Sequence, residues 1–354
     1  MIYNKKFRVI IYLLILVAMI FFPFHLFAQE SKEIVEHETG FYYTVQRGDT
    51  LWDLSERFSD SPWLWPELWK ENSKISNPHW IYPGERIRLF HRKGVESFVK
   101  KTEETMETME TVETAGKEQT LEMEPPKKLP YYYYSPINRT GFIRKEPFNP
   151  YGVIFKVRDD VNMIGQGDIV YIRQMGDTPL ILGEKYTLYR KFKPIKDKKT
   201  KELIGTQHYL TGVVKITKIE PKFVMAMVVQ SYRTIEINDL LMPYKKRSPK
   251  ITLAASKKGL NGKIIISEEH GNIMGDNAIA FIDKGRNDGV KLGQSYNIYY
   301  QERGQVGSKK EAFRVPVVYG SLIVLYTEQT TSTVLITQSD RSITPEATIR
   351  SPME

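Results

Sequence analysis

The apolar positions between residues 43 and 58 change from a strand-like to a helix-like spacing. Tyr43 and Val45 stand on either side of a polar residue, at the two-residue period of a half-buried strand. Three further apolar residues recur at i, i+3 and i+7, as they do on one face of a helix. They are Leu51, Leu54 and Phe58. Because Gly48 permits a tight turn between the two patterns, we predict a strand, a turn and a helix in this order.

A second helix and a second strand are predicted before the pattern ends. Thr50 is the expected N-cap of the first helix. Proline lacks a backbone donor, so the second helix is expected to begin near Pro66 and to run to Asn72. The segment from Arg86 to Phe90 alternates again and can pair with the first strand. Residues 41–91 are therefore predicted to fold as a βααβ domain.

All five tryptophans of the chain lie in this predicted domain, between Trp52 and Trp80. A domain of this size has a small interior, and large aromatic side chains contribute much of the apolar area that such a core buries. We therefore predict that Trp63, Trp65 and Trp69 pack mainly in the core. For Trp80, packing and ligand contact both stay open.

The second half of the chain contains an internal repeat. From Tyr131 onward, short apolar runs alternate with turn residues, which is typical of β-strands. The motif VNMIGQGDIVYI at 161–172 matches GNIMGDNAIAFI at 271–282, and Gly183 matches Gly293 at the same offset. Each of these two glycines precedes a predicted strand, which indicates a turn with positive φ.

The repeat predicts the organisation of the chain. We expect two repeated, mainly β modules at residues 131–248 and 255–354, each a small barrel or sandwich. Residues 92–130 are rich in Glu and Thr and lack apolar periodicity, so they are expected to form a flexible linker, with a single helix as the alternative. The predicted fold class is α+β and multidomain, because the βααβ domain precedes the linker and the β modules.

The first residues resemble an export signal. Basic residues precede an apolar run from Val9 to Phe22, and the small residue Ala28 fits a cleavage site. Residues 1–28 are therefore predicted to be a signal peptide, and an uncleaved membrane anchor is the alternative. The expected location is the periplasm or cell envelope, with membrane contact only through an uncleaved signal.

Composition excludes several classes of protein. Cysteine is absent, which excludes disulfides, a thiol nucleophile and lipid attachment through cysteine. The formal net charge is +9, but the basic residues are scattered, and no stripe of Arg and Lys interleaved with aromatic residues indicates nucleic acid. We expect neither a nucleic-acid partner nor a cofactor.

Three segments of the predicted βααβ domain resemble the LysM (lysin motif) family. They are YTVQRGDTLWDLSERF at 43–58, LWKEN at 68–72 and IYPGERIRLF at 81–90. The resemblance implies a non-catalytic domain that binds peptidoglycan or another N-acetylglucosamine polymer. Two features depart from the common pattern: SPWLW at 61–65, which enlarges the segment between the helices, and Trp52 directly after Leu51.

The resemblance also implies where the glycan binds. It places the ligand in a groove between the turn at 48–51 and the turn at 77–84. For Asp49, a role at the helix start is the alternative, and Pro83 and Gly84 are expected to act through their backbone. The predicted site consists of Gly48, Asp49, Thr50, Leu51, Asn77, Pro78, Trp80, Ile81, Pro83 and Gly84.

Catalytic and metal sites find little support in the β modules. His208 and His270 stand alone, as expected of surface histidines, so a zinc peptidase is not indicated. The loop at 285–289 is expected to be a hairpin turn and not a calcium site, because it has too few alternating carboxylates. A pair of carboxylates brought together from distant strands stays open. We therefore predict no enzymatic activity and no metal.

Three functions follow from these observations. The first is a glycan-anchored structural or assembly protein, and the second is a periplasmic adaptor whose β modules bind an envelope protein. A cell-wall hydrolase is the third and least favoured. A single LysM copy lacks the avidity of tandem copies, so we expect weak and reversible glycan binding.

Overall fold

The structure is a computed structural model of the chain. It describes residues 39–59, 61–89, 129–160, 163–305 and 312–352. The predicted signal peptide, and the predicted linker from residue 92 to residue 128, lie outside the described residues. No helix within the described ranges is long and apolar enough to cross a membrane.

The βααβ order predicted for the N-terminal domain is present. Its elements are β1 (Gly40–Thr44), α1 (Leu51–Ser59), a 3-10 turn (Pro62–Leu64), α2 (Trp65–Lys70) and β2 (Arg86–Arg88). Strands β1 and β2 are antiparallel, with Tyr43 opposite Ile87. Helix α2 ends at Lys70, two residues earlier than predicted, because Asn72 has a different role. Its side-chain amide donates to the carbonyls of Leu68 (2.7 Å) and Arg88 (2.8 Å) and so ties the helix end to β2.

The remaining elements of the described chain are β-strands and short 3-10 turns. The strands up to residue 252 are β3 (Tyr131–Tyr133), β4 (Phe142–Arg144), β5 (Gly152–Val157), β6 (Ile169–Gln174), β7 (Lys185–Lys191), β8 (Ile195–Lys196), β9 (Leu203–Ile219), β10 (Val224–Ser231), β11 (Leu240–Pro243) and β12 (Lys250–Thr252). Those after it are β13 (Asn261–Ser267), β14 (Ile279–Ile282), β15 (Ser295–Gln305), β16 (Ala312–Thr327), β17 (Ser332–Ser339) and β18 (Thr348–Arg350).

The core of the N-terminal domain lies between its helices and its sheet. The apolar face predicted for α1 is buried there, together with Tyr43 and Leu68. Trp65 and Trp69 pack against this core and are partly buried, as predicted. The prediction is wrong for Trp63, whose side chain is 75% exposed. Trp63 lies in the 3-10 turn between the helices, where its side chain points into solvent. The spacing of apolar residues along the sequence does not predict this direction.

The N-terminal sheet extends beyond the domain. The edge of β1 that does not face β2 pairs with β3, and β3 pairs in turn with β12. The sheet therefore has the strand order β12-β3-β1-β2. Our boundaries assigned β3 to the first β module and left β12 between the modules. The pairing differs because Phe41, Tyr132 and Ile251 lie opposite one another and bury a common apolar face.

The same core continues onto the second β module. Ile323, Leu325 and Leu335, on β16 and β17, belong to the apolar cluster that contains the core of the N-terminal domain. Leu322 and Val324, which alternate with Ile323 and Leu325 along β16, face a separate apolar cluster inside the module. The alternation along β16 therefore gives this strand one face toward each core.

Six strands in each half of the described β region pair in the same cyclic order. In the first module the ring is β5-β6-β10-β9-β7-β11, and the β9–β10 and β11–β5 pairings close it. In the second module the ring is β13-β14-β17-β16-β15-β18, which is closed by β18 and β13. Each ring surrounds its own apolar core. Of the two shapes that the sequence allowed, the small barrel is the one observed.

Matching positions of the two barrels also have matching backbones. Gly183 and Gly293 adopt φ angles of +82° and +81°, as the turn prediction requires. Their amides donate to Ile216 on β9 (2.9 Å) and to Val324 on β16 (3.0 Å), which are equivalent strands in the two rings. The two glycines therefore close equivalent turns.

His208 is buried, so the prediction of a surface position is wrong for this residue and right only for His270. Its ring stacks on Phe142, with ring centroids 4.7 Å apart, and lies beside Tyr189. The backbone amide of Phe148 donates to Nε2 (3.3 Å), and Nδ1 lies 3.1 Å from the carbonyl of Thr206. Burial lowers the pKa of His208 to about 4, so the ring is neutral at pH 7 and serves in packing.

Candidate functional site

Two loops of the N-terminal domain lie side by side at one end of its sheet. We call residues 46–50 the first loop and residues 76–85 the second loop. Val45 joins them, because its amide donates to the carbonyl of Glu85 (2.8 Å) and its carbonyl accepts from the amide of Gly84 (2.9 Å). The structure thus brings together the two turns between which the sequence predicts a ligand.

The first loop is shaped by Asp49. Its carboxylate accepts hydrogen bonds from the amide of Gln46 (2.8 Å) and the hydroxyl of Tyr43 (2.9 Å), and Arg57 lies 3.6 Å away. Gly48 has a φ of +91° and permits the turn. Burial, followed by the hydrogen bond to Asp49, raises the pKa of Tyr43 to about 12, so this hydroxyl stays protonated at pH 7. These contacts indicate that Asp49 holds the first loop in place, which differs from the role at the helix start predicted as the alternative for this residue.

The end of the first loop belongs to helix α1. The hydroxyl of Thr50 accepts from the amide of Asp53 (3.1 Å), while the Asp53 carboxylate accepts from the amide of Thr50 (3.2 Å). This reciprocal pair is the predicted cap. Leu51 was included in the predicted site, but its side chain is buried in the core. It is the first apolar position of the helix face, so its side chain points away from a surface ligand.

The second loop consists of two tight turns. The Trp80 amide donates to the carbonyl of Asn77 (3.0 Å), whose side-chain oxygen also accepts from the amide of His79. The Glu85 amide donates to the carbonyl of Tyr82 (3.0 Å), and Gly84 has a φ of +92° within this second turn. The turns fix the backbone of the loop before β2 begins.

The ten predicted residues differ in how they meet solvent. Exposed positions are Gly48, Thr50, Trp80, Pro83 and Gly84. The half-buried ones are Asp49, Asn77, Pro78 and Ile81, of which Ile81 packs on the core. Among the side chains predicted to bind, Trp80 offers the largest open apolar surface, since it is 65% exposed.

Sequence reasoning omitted three exposed aromatic residues of the domain from the site. Tyr82 lies in the second loop and is 64% exposed. Trp52 lies two residues after the end of the first loop, is 39% exposed and makes an edge-to-face contact with Trp63, with ring centroids 4.8 Å apart. The signal that could have identified the two tryptophans was their departure from the common LysM pattern at Trp52 and in SPWLW.

This arrangement is suited to binding a neutral sugar. Open aromatic faces can cover the apolar C–H faces of a sugar ring, and the backbone groups of tight turns can bond to acetamido groups. No group of three potential metal ligands occurs in the described part of the chain. The exposed aromatic side chains and the turn backbone of the two loops have the chemistry of a binding site.

Two comparisons with known proteins concern this domain. Residues 43–90 match the family model of the LysM domain. The uncharacterized protein YqbP of Bacillus subtilis (strain 168) is 40% identical over 57 residues, which cover 13% of this chain and 26% of that protein. The chain thus spans about a quarter of the length of the curated relative that it matches. LysM domains bind peptidoglycan or chitin-like polymers of N-acetylglucosamine.

Proposed function

We propose that the LysM domain at residues 43–90 binds the N-acetylglucosamine polymer of peptidoglycan and thereby anchors the two β-barrels in the cell envelope. The observation that carries this proposal is the pair of hydrogen bonds at Val45, which hold the first and second loops together as two sides of one surface. The export signal expected at residues 1–28 supports a location in the periplasm.

The sugar-binding role divides between backbone and side chains. Trp80 and Tyr82 supply open aromatic surface on the second loop. Gly48 and Gly84, both exposed and both with positive φ, leave the backbone of each loop free of a Cβ. A sugar can therefore approach the main chain closely while one of its faces packs on an aromatic ring.

The barrels are proposed to be the interaction or assembly region of the protein. The continuous sheet β12-β3-β1-β2 and the core shared with β16 and β17 favour a fixed orientation between the glycan-binding loops and the second barrel. When the loops hold a glycan, the second barrel would then point in a defined direction from the cell wall. The equal strand order of the two rings, together with the sequence offset, supports a duplicated module.

A non-catalytic role agrees with the carboxylates at the contact between the barrels. Glu268 and Glu269 are two carboxylates that follow one another in sequence, but Glu268 is buried and its side chain is engaged by the Arg233 guanidinium (2.8 Å) and the Gly141 amide. Tyr209 donates to Glu269. These contacts give both carboxylates a structural role.

Replacing Trp80 with alanine in the full chain is expected to weaken binding to purified peptidoglycan sacculi about tenfold, which is the loss of roughly 1.4 kcal/mol. The reason is the removal of the largest open aromatic face of the second loop, while stability should change little because the side chain is exposed. Sedimentation with sacculi over a range of protein concentrations measures the change.

The control is Ile181→Ala, which removes a comparably exposed apolar side chain from the first barrel. It should bind sacculi like the unmodified protein. Equal binding by Trp80→Ala and the unmodified chain would contradict the proposed site. Release of soluble muropeptides during the same incubation would contradict the non-catalytic role and favour the hydrolase.

A further inference from the structure

Trp52 and Trp63 form an exposed aromatic pair that core packing does not explain. Trp52 is 39% exposed and Trp63 is 75% exposed, so both indole side chains keep surface open to water. Apolar surface gains roughly 25 cal/mol for each Å² removed from water, so leaving such rings exposed forgoes stability. Contiguous apolar surface of this kind marks an interaction site more often than a scattered single residue does.

The pair is held in place by the fold. Trp52 is the second residue of α1, in the first turn of the helix. Trp63 lies in the 3-10 turn, which is tied to α1 by the hydroxyl of buried Ser55 donating to the carbonyl of Ser61 (2.8 Å). The rings meet edge to face at 76°. Because both side chains are positioned before any ligand arrives, binding to them costs little ordering entropy.

The position of the pair indicates its ligand. Trp52 lies two residues after Thr50, the last residue of the first loop, in the helix turn that Thr50 caps by accepting from the amide of Asp53. A polymer that lies between the two loops can extend over this pair, whereas a short oligosaccharide held by the loops cannot reach beyond them. The more exposed ring, Trp63, keeps open indole surface available for stacking.

We propose that Trp52 and Trp63 form an additional subsite that stacks on a sugar ring of the same glycan, outside the groove between the loops. This inference rests on the proposed function. The subsite makes the affinity of the protein depend on glycan length, because only a chain long enough to cross both regions gains the contact. It also compensates in part for the single LysM copy, since one domain then holds more sugar units.

Replacing Trp63 with alanine in the full chain is expected to weaken binding of an N-acetylglucosamine hexasaccharide about tenfold and to leave binding of the disaccharide unchanged. Trp63→Phe, which keeps an aromatic face, should retain most of the hexasaccharide affinity. Trp80→Ala should weaken both ligands, because it acts within the loops. Isothermal titration calorimetry measures all of these affinities, and an unchanged midpoint of thermal unfolding shows that the variants remain folded.

Intrinsic fluorescence gives a second measurement, because all five tryptophans lie in the LysM domain and the barrels contribute none. The hexasaccharide should shift the emission of the unmodified chain more than the disaccharide does, and Trp63→Ala should remove the difference. Unchanged hexasaccharide affinity in Trp63→Ala, or an equal loss for both ligands, would overturn the additional subsite. Absence of binding by the unmodified chain would instead overturn the proposed function.

Discussion

Replacing Gly293 with alanine is expected to lower the free energy of unfolding by about 3–5 kcal/mol, whereas the same change at Gly183 is expected to cost about 1–2 kcal/mol. The two glycines occupy equivalent turns of the two barrels and have φ angles of +81° and +82°. Both substitutions therefore carry the same penalty for a side chain in the left-handed region. The difference between the two losses in the free energy of unfolding therefore measures the steric contact that only Gly293→Ala creates.

That contact is with strand β12. A Cβ added at Gly293 would lie 1.9 Å from the carbonyl oxygen of Thr252, while a Cβ at Gly183 would meet nothing within 4 Å. The obstacle is backbone, so it cannot turn aside as the end of a flexible side chain can. Thr252 is also paired with Tyr131 of β3, and moving it would disturb the sheet that continues into the LysM domain.

Urea unfolding of the two variants, followed by far-UV circular dichroism and by tryptophan fluorescence, measures both effects. For Gly293→Ala, we expect the fluorescence transition to move to lower urea as well, because the LysM domain contains every tryptophan and shares its sheet with β12. Equal losses at Gly183 and Gly293 would show that β12 can move away without cost, and would contradict a tight connection between barrel and sheet.

The local features of the LysM domain could be predicted from the sequence because short-range chemistry determines them. The Thr50–Asp53 cap, the apolar face of α1 and the alternation in β2 each depend on residues within one or two turns of each other. The turns at Gly183 and Gly293 belong to the same class. In each case the backbone geometry follows from the residue type and its immediate neighbours.

The pairing of β1 with β3 could not be predicted in this way. Tyr131–Tyr133 has the alternation of any half-buried strand, and its period carries no information about which edge it joins. The burial of His208 has the same cause, since Phe142 and Tyr189 come from distant parts of the chain to cover it. Such outcomes depend on long-range topology, which a single sequence does not reveal.

The candidate site was predictable as a pair of turns but less so as a set of contacts. Asp49 and Leu51 lie in the predicted turn, yet the hydrogen bonds of Asp49 hold the loop, and the side chain of Leu51 enters the core. Tyr82 and Trp63 point outward and were missed. Because β1 uses its free edge for β3, binding is best tested in the full chain, where that edge is paired.

A second large effect is expected where the two barrels meet. Arg233 follows β10 of the first barrel, and its guanidinium lies 2.8 Å from the carboxylate of Glu268, which follows β13 of the second. Glu268 is only 3% exposed. Replacing Arg233 with methionine leaves this carboxylate buried without its cation, so we expect a loss of about 3–5 kcal/mol in the free energy of unfolding at pH 7.

The double variant Arg233→Met with Glu268→Gln should recover part of this loss, because it removes the buried charge as well. Lys218→Met is the matched control, since Lys218 makes an ion pair with Glu220 at an exposed position and its removal should change stability very little. A loss of similar size in the single and double variants would show that Arg233 acts through its other contacts, including its stacking on Tyr209 (4.1 Å), and not through Glu268.

The pH dependence of the single variant provides the most specific test of the charge. Burial raises the pKa of Glu268 above its ordinary value, although Arg233 acts in the opposite direction. Without Arg233 the pKa of the folded state rises further, so the folded protein binds a proton more tightly than the unfolded chain does. The stability that this proton binding gives the folded state is present at low pH and is lost as the pH rises through the pKa of Glu268 in the folded state.

Urea unfolding should therefore show a smaller penalty for Arg233→Met at about pH 4, near the ordinary pKa of a glutamate, than at pH 7. A penalty that does not change with pH would mean that the carboxylate stays hydrated when Arg233 is removed, and the contact between the barrels would then be looser than the buried Glu268 indicates.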